Sequence, residues 1–120
     1  MKAEGLFVEE IELFPPALPA RKAFVEILVS QQRYTEQVGQ LQAIVSLEQT
    51  DSRAYHSLAQ ALYNLKRYDE ALKQVEMCSK VDPEYAHCVM LLANILNQLG
   101  QKKPAQKAFE RAKRMVGQSP

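Results

Sequence analysis

A chain of 120 residues that is 47% hydrophobic and 24% charged, with a net charge of +1, has the composition of one ordinary globular domain. That near-balance excludes a polyelectrolyte, and two cysteines are too few for a disulfide-rich scaffold. No run of about 18 apolar residues is present, and the start MKAEGLFVEEIELF places acids where a secretory signal needs a basic end, so a cytoplasmic chain without a transmembrane segment is expected.

Residues 1–17 stand apart. Leu6, Phe7, Val8, Ile11, Leu13 and Phe14 alternate with Glu4, Glu9, Glu10 and Glu12 and run into Pro15 and Pro16. Val8 and Ile11 suit a helix, whereas a residue before proline avoids the helical region, which demands an extended exit. The segment reads as an apolar, acidic arm or a partial cap. From Ala20 onward apolar residues recur at three- and four-residue spacing, first through Phe24, Ile27 and Leu28, then through Val38, Leu41, Ile44 and Val45. The same period predicts helices near 54–65, 69–80, 85–98 and 103–116. Six helices joined by turns at 31–35, 65–68 and 98–102 must pack as successive antiparallel hairpins. Pro83 after Asp82 is expected to open a helix, Gly100 to close one at positive φ, and Pro104 to sit in a first turn. Cys78 and Cys88 belong to no CxxC or Cys/His set, so buried, reduced thiols are expected rather than a disulfide or a zinc site.

The chain repeats itself. Leu58, Ala59, Leu62, Ala71 and Val75 return 34 residues later as Leu92, Ala93, Leu96, Ala105 and Phe109, and Phe24, Leu28, Tyr34 and Leu41 stand one period upstream of Leu58, Leu62, Tyr68 and Val75. Closely crossing helices need small residues at the contact, which Ala59, Ala71, Ala93, Ala105 and Ala112 supply. With Tyr55 at the start of one unit and Pro83 closing it, this 34-residue pattern resembles the tetratricopeptide repeat family. The resemblance covers 18–117 and implies an all-α, right-handed α-α superhelix of three helix-turn-helix units, about 18–50, 52–84 and 86–117, after an N-terminal extension and before a tail at 118–120. The first unit is degenerate, with Val25 and Gln37 at small positions, as terminal repeats often are.

In that family the first helices of the units line a concave groove. Matching unit to unit places Lys22, Ala23, Glu26 and Val29 there, then Arg53, His56, Ser57, Gln60 and Tyr63, then His87, Met90, Leu91, Asn94 and Asn97. Some members clamp a C-terminal carboxylate with two lysines, an arginine and two asparagines. Of that set only Lys22 survives, with Glu26, Ser57, His87 and Leu91 at the other positions, so the clamp is missing. Exposed Tyr63, Met90 and Leu91 are expected to add an apolar third of the groove, suited to a segment with an apolar anchor and an acidic residue. The resemblance thus implies a non-catalytic protein-protein interaction module, scaffold or co-chaperone-like, with a protein or peptide partner and no cofactor or metal.

Charge divides along the chain, with −3 over residues 1–17 and +5 over residues 100–120. Two oligomer contacts are therefore entertained: the Leu6–Phe14 arm, and the apolar face of the last helix through Ala105, Ala108, Phe109, Ala112, Met115 and Val116. That face also suits a fragment of a longer array. Binding to an anionic surface or nucleic acid through Lys103, Lys107, Arg111 and Arg114 is the alternative, weakened by the lack of interleaved aromatic residues. Catalysis is not expected: His56 and His87 come onto adjacent helices and Cys88 follows His87, but neighbouring helical residues point to different faces. On that reading Cys88→Ala leaves function intact.

Overall fold

The computed structural model describes residues 2–13 and 17–117, which form seven helices: α1 (Lys2–Leu13), α2 (Leu18–Ser30), α3 (Tyr34–Leu47), α4 (Ser52–Asn64), α5 (Tyr68–Val81), α6 (Ala86–Gln98) and α7 (Lys102–Gly117). Three hairpins, α2–α3, α4–α5 and α6–α7, stack in order, and α1 packs on α2. The stack is the expected all-α, right-handed superhelix of three helix-turn-helix units. Its Cα radius of gyration of 15.4 Å exceeds the roughly 14 Å of a sphere-like chain of this length, as an elongated array should.

Each hairpin turn is built the same way. Backbone N–H groups of Gln32 and Arg33 bond back to Val29 and Leu28; Lys66 and Arg67 repeat this on Tyr63 and Leu62, and Gly100 and Gln101 on Asn97 and Leu96. These are paired helix-end bonds in which the residue after the C-cap turns left-handed, and φ is +56° at Gln32, +62° at Lys66 and +80° at Gly100. Only the third turn carries the glycine that this backbone favours. Pro104 lies in the first turn of α7, as expected.

Small residues let the helices cross. Ala59 and Ala71 are fully buried, and Ala93 and Ala105 repeat the contact in the third unit. In the first unit the crossing is bulkier, with Val25 and Gln37 buried there, and the Gln37 amide donates to the Leu28 carbonyl at 3.1 Å so that no polar atom is stranded. Leu28, Leu58, Leu62 and Ile95 fill the flanks, each worth about 1.5–3 kcal/mol of burial.

Two expectations are corrected. Pro83 does not open α6; it lies in a turn, because Asp82 caps the end of α5 and its carboxylate accepts the Glu84 N–H at 3.1 Å, so the helix begins at Ala86. Cys78 and Cys88 are buried but not reduced: they form a disulfide, with Cα atoms 6.6 Å apart. One period upstream the same positions hold buried Ile44 and Ala54, so the array brings these places together at each joint, and here both are sulfur. The bond ties the end of α5 to the first turn of α6.

The arm is helical over Lys2–Leu13, and Glu4 pairs with Arg33 beyond the end of α2. Its apolar residues divide: Phe7, Val8 and Ile11 are half-buried, whereas Leu6 and Leu13 are exposed. The expected extended exit at Phe14, Pro15 and Pro16 lies outside the described residues.

Candidate peptide-binding groove

Helices α2, α4 and α6 are the first helices of their units, and hollows open between them and their partners. One of about 300 Å³ is lined by Lys22, Val25, Glu26, Asp51, Arg53, Ala54 and Ser57 from α2, α4 and the joint between, with Leu41 and Ile44 behind. A second, of about 260 Å³, is lined by Val29, Gln32, Tyr34, Gln37, His56, Ser57, Gln60 and Asn64. A third, of about 390 Å³, lies by Ala93, Asn94, Asn97, Lys102, Gln106 and Phe109. The floor is apolar and the rim carries amides, hydroxyls and a few charges.

Most of the expected groove residues do line these hollows. Glu26 and Arg53 are exposed, His56, Ser57 and Gln60 are half-buried, and Asn94 and Asn97 are exposed at the third hollow. His87 is exposed at the start of α6, and Met90 is half-buried one turn later.

Three readings change. Leu91 is not exposed; it is 3% accessible and belongs to the main core, because α6 packs directly on α4 and its side chain fills that contact. Tyr63 is half-buried against the same core and its ring meets Tyr68 edge to face at 5.4 Å, so it is not a free anchor. Lys22 is not a free cation, since its ammonium lies 2.8 Å from Glu48 and 3.5 Å from Asp51. The hydrogen bond to Glu48 chiefly holds its pKa above the usual lysine value. Cys88, being bonded, offers no thiol.

Aromatic rings gather on the wall between α4 and α6. His56, Tyr85 and His87 stand mutually within 5.9 Å between ring centroids, which confirms the approach of the two histidines. Burial first, and the charge of His87 second, push His56 below the usual histidine pKa. Tyr85, Gln32, Tyr34, Asn64 and Phe109 were missed by matching first-helix positions alone. Tyr85 was within reach, since it stands 34 residues after Asp51 at the entry of a first helix. Among the described residues no group of three His, Cys, Asp or Glu side chains is placed to hold a metal, and no helix is long and apolar enough to cross a membrane.

Stacked hairpins with hollows along their first helices define a helical-repeat protein of the protein-interaction class. The tetratricopeptide-type family described as "Anaphase-promoting complex, cyclosome, subunit 3" matches residues 30–112, and the chain belongs to it. Among solved structures, MamA of AMB-1 superposes with a TM-score of 0.90 at 20% identity, over 98% of this chain and 64% of that one. MamA of MSR-1 gives 0.88 at 21%, over 98% and 67%. MamA from Desulfovibrio magneticus RS-1 gives 0.88 at 20%, over 99% and 68%. The chain thus spans about two thirds of those proteins and shares their fold. No curated protein matches the sequence.

Proposed function

We propose that the chain is a non-catalytic scaffold or adaptor module that holds a segment of a partner protein along α2, α4 and α6, without a carboxylate clamp. The observation that carries this is the pair of hollows sharing Ser57, apolar at the floor and rimmed by Arg53, His56, Gln60 and Asn64. An extended segment with an apolar anchor and an acidic residue suits them, with Arg53 as the exposed cation. Lys22 is already engaged by the chain's own carboxylates, which removes the last member of the clamp.

Affinity capture with the wild type beside an Arg53→Glu, Gln60→Glu variant tests the reading. Partners bound through the groove are lost from the variant while its helical signal stays intact; partners retained equally by both overturn it. Self-association belongs to the same reading, through exposed Leu6 and Leu13 on α1 or Phe109 and Val116 on α7. The alternative, an anionic surface on α7, is favoured by exposed Lys103, Lys107 and Arg114, although Arg111 donates to the Pro83 carbonyl at 3.0 Å. Salt-independent retention on heparin would dispose of it. The proposed setting is the cytoplasm, and the oxidation state of Cys78 and Cys88 in freshly lysed cells tests that, because a reducing compartment opens most such bonds.

A further inference from the structure

The 34-residue register shows what the second joint lacks. At the first joint a cation on the groove face of the first helix, Lys22, meets two carboxylates that the chain supplies, Glu48 and Asp51. One period on, the same three registers hold His56, Asp82 and Tyr85. The Asp82 carboxylate is turned to its own backbone, accepting the Glu84 N–H, and the place of Asp51 is taken by the Tyr85 ring, 5.9 Å from His56. A second imidazole, His87, lies 5.8 Å away.

The cluster is held firmly and is short of an anion. Tyr85 packs on the buried group of Tyr55, Cys78 and Cys88, so the disulfide fixes from beneath the corner that presents Tyr85 and His87. The charged groups around it are few. Arg53, one turn back on α4, lines the adjacent hollow with Glu26, the paired Lys22 and its partner Asp51, and from α7 Arg111 donates to the Pro83 carbonyl. From α2 and α3 the hollow beside His56 receives Tyr34 and otherwise neutral side chains. From α5 the packed residue is the bonded Cys78, which does not titrate. His56 is shifted by burial and by His87, and among the described residues by no carboxylate.

We propose that the His56–Tyr85–His87 cluster is a proton-coupled docking point for a glutamate- or aspartate-bearing segment of a partner protein, so that the groove grips acidic segments more tightly as pH falls through the imidazole range. This rests on the groove reading above and adds the chemistry of the occupant. A carboxylate set beside the two rings does for His56 what Glu48 and Asp51 do for Lys22: it favours the charged form, against burial and against the neighbouring imidazole. Binding then takes up a proton, and linkage makes affinity rise on acidification. Exposed Val29 lines the hollow beside His56, and half-buried Met90 stands one turn after His87 on α6, so both offer the anchor an apolar contact.

The experiment titrates the full chain with a fluorescein-labelled decapeptide alternating glutamate and leucine, and with its glutamine counterpart, by fluorescence anisotropy from about pH 7.5 to about pH 5.5. The glutamate probe should tighten about tenfold, the glutamine probe should stay flat, and His56→Gln and His87→Gln should each flatten the glutamate curve. Glutamate-probe binding that ignores pH, or a pH dependence that survives both substitutions, overturns the proposal and leaves the groove reading standing. Failure of both probes at every pH overturns the two together. His87 is exposed, so His87→Gln decides the matter even where His56→Gln disturbs folding.

Discussion

The two joints of the array share a backbone and are fastened by different means. At the first, Ile44 and Ala54 are plain apolar residues buried in the main core, Asp51 caps α4 by accepting the Ala54 N–H at 3.1 Å, and Lys22 closes the surface with two ion pairs. At the second, the same registers carry the Cys78–Cys88 bond, an uncapped Tyr85 and a ring cluster. Filling differs as well: Leu91 occupies the contact of α6 on α4, whereas Ser57, its counterpart, leaves hollows between α2 and α4. A repeat array can therefore assign rigidity to one joint and open space to the next by changing a handful of residues within a constant frame.

Leu91→Ser tests that division most severely. It copies the first joint onto the second, removes a core side chain and buries a hydroxyl, and should cost about 3–5 kcal/mol in urea unfolding. The reciprocal Ser57→Leu should alter stability by no more than about 1 kcal/mol, because open space receives the added atoms, and should weaken any groove ligand. Equal losses from both would mean that the joints are packed alike.

The disulfide comes next. It closes a ten-residue separation, for which loop entropy gives about 2–3 kcal/mol, so thermal unfolding with and without a dithiol reductant should differ by that amount. Cys88→Ala should show the same loss without reductant, while the expectation that it leaves function intact stands apart from this stability effect. The matching pair Ile44→Cys and Ala54→Cys should form a bond at the first joint, and failure to do so would show that the joints differ in backbone and not only in side chains.

Asp51→Ala removes a cap and one partner of Lys22 and should cost about 1 kcal/mol by the same unfolding measurement. At the second joint Tyr85 makes no cap bond, so its removal should act through the rings alone.

The frame was legible because packing repeats. Ala59, Ala71, Ala93 and Ala105 carry the 34-residue period in the residues that crossing helices require, and Gly100 marks its turn by conformation. The equivalent turns at 31–35 and 65–68 were legible from helix spacing, but their left-handed residues, Gln32 and Lys66, carry no glycine to mark them. The site was half legible. Spacing assigned first-helix residues to the groove face, but whether such a residue stays open depends on how closely the preceding first helix approaches; Leu91 is covered where Ser57 is not. The cysteine pair was invisible for a similar reason, since its registers read as ordinary apolar contacts until the joint places them face to face.

The smallest effect isolates the electrostatic difference. Folding depresses the pKa of His56 from 6.5, so as pH falls below that value the unfolded chain takes the proton first and stability declines, whereas above it this contribution is complete. Lys22, in the same register, is raised by Glu48, so its contribution is present at neutral pH and fades only as pH rises past the lysine range. Tyr85→Asp would give the second joint the carboxylate that the first already has. The His56 pKa should then move up, and the slope of stability against pH between about 7 and 5 should reverse, with acid now strengthening the fold. Urea midpoints across that range, taken as differences from His56→Gln, which keeps every other titrating group, read the sign of the His56 contribution. An unchanged downward slope in Tyr85→Asp would show that the position of Asp51 does not reach His56 at this joint.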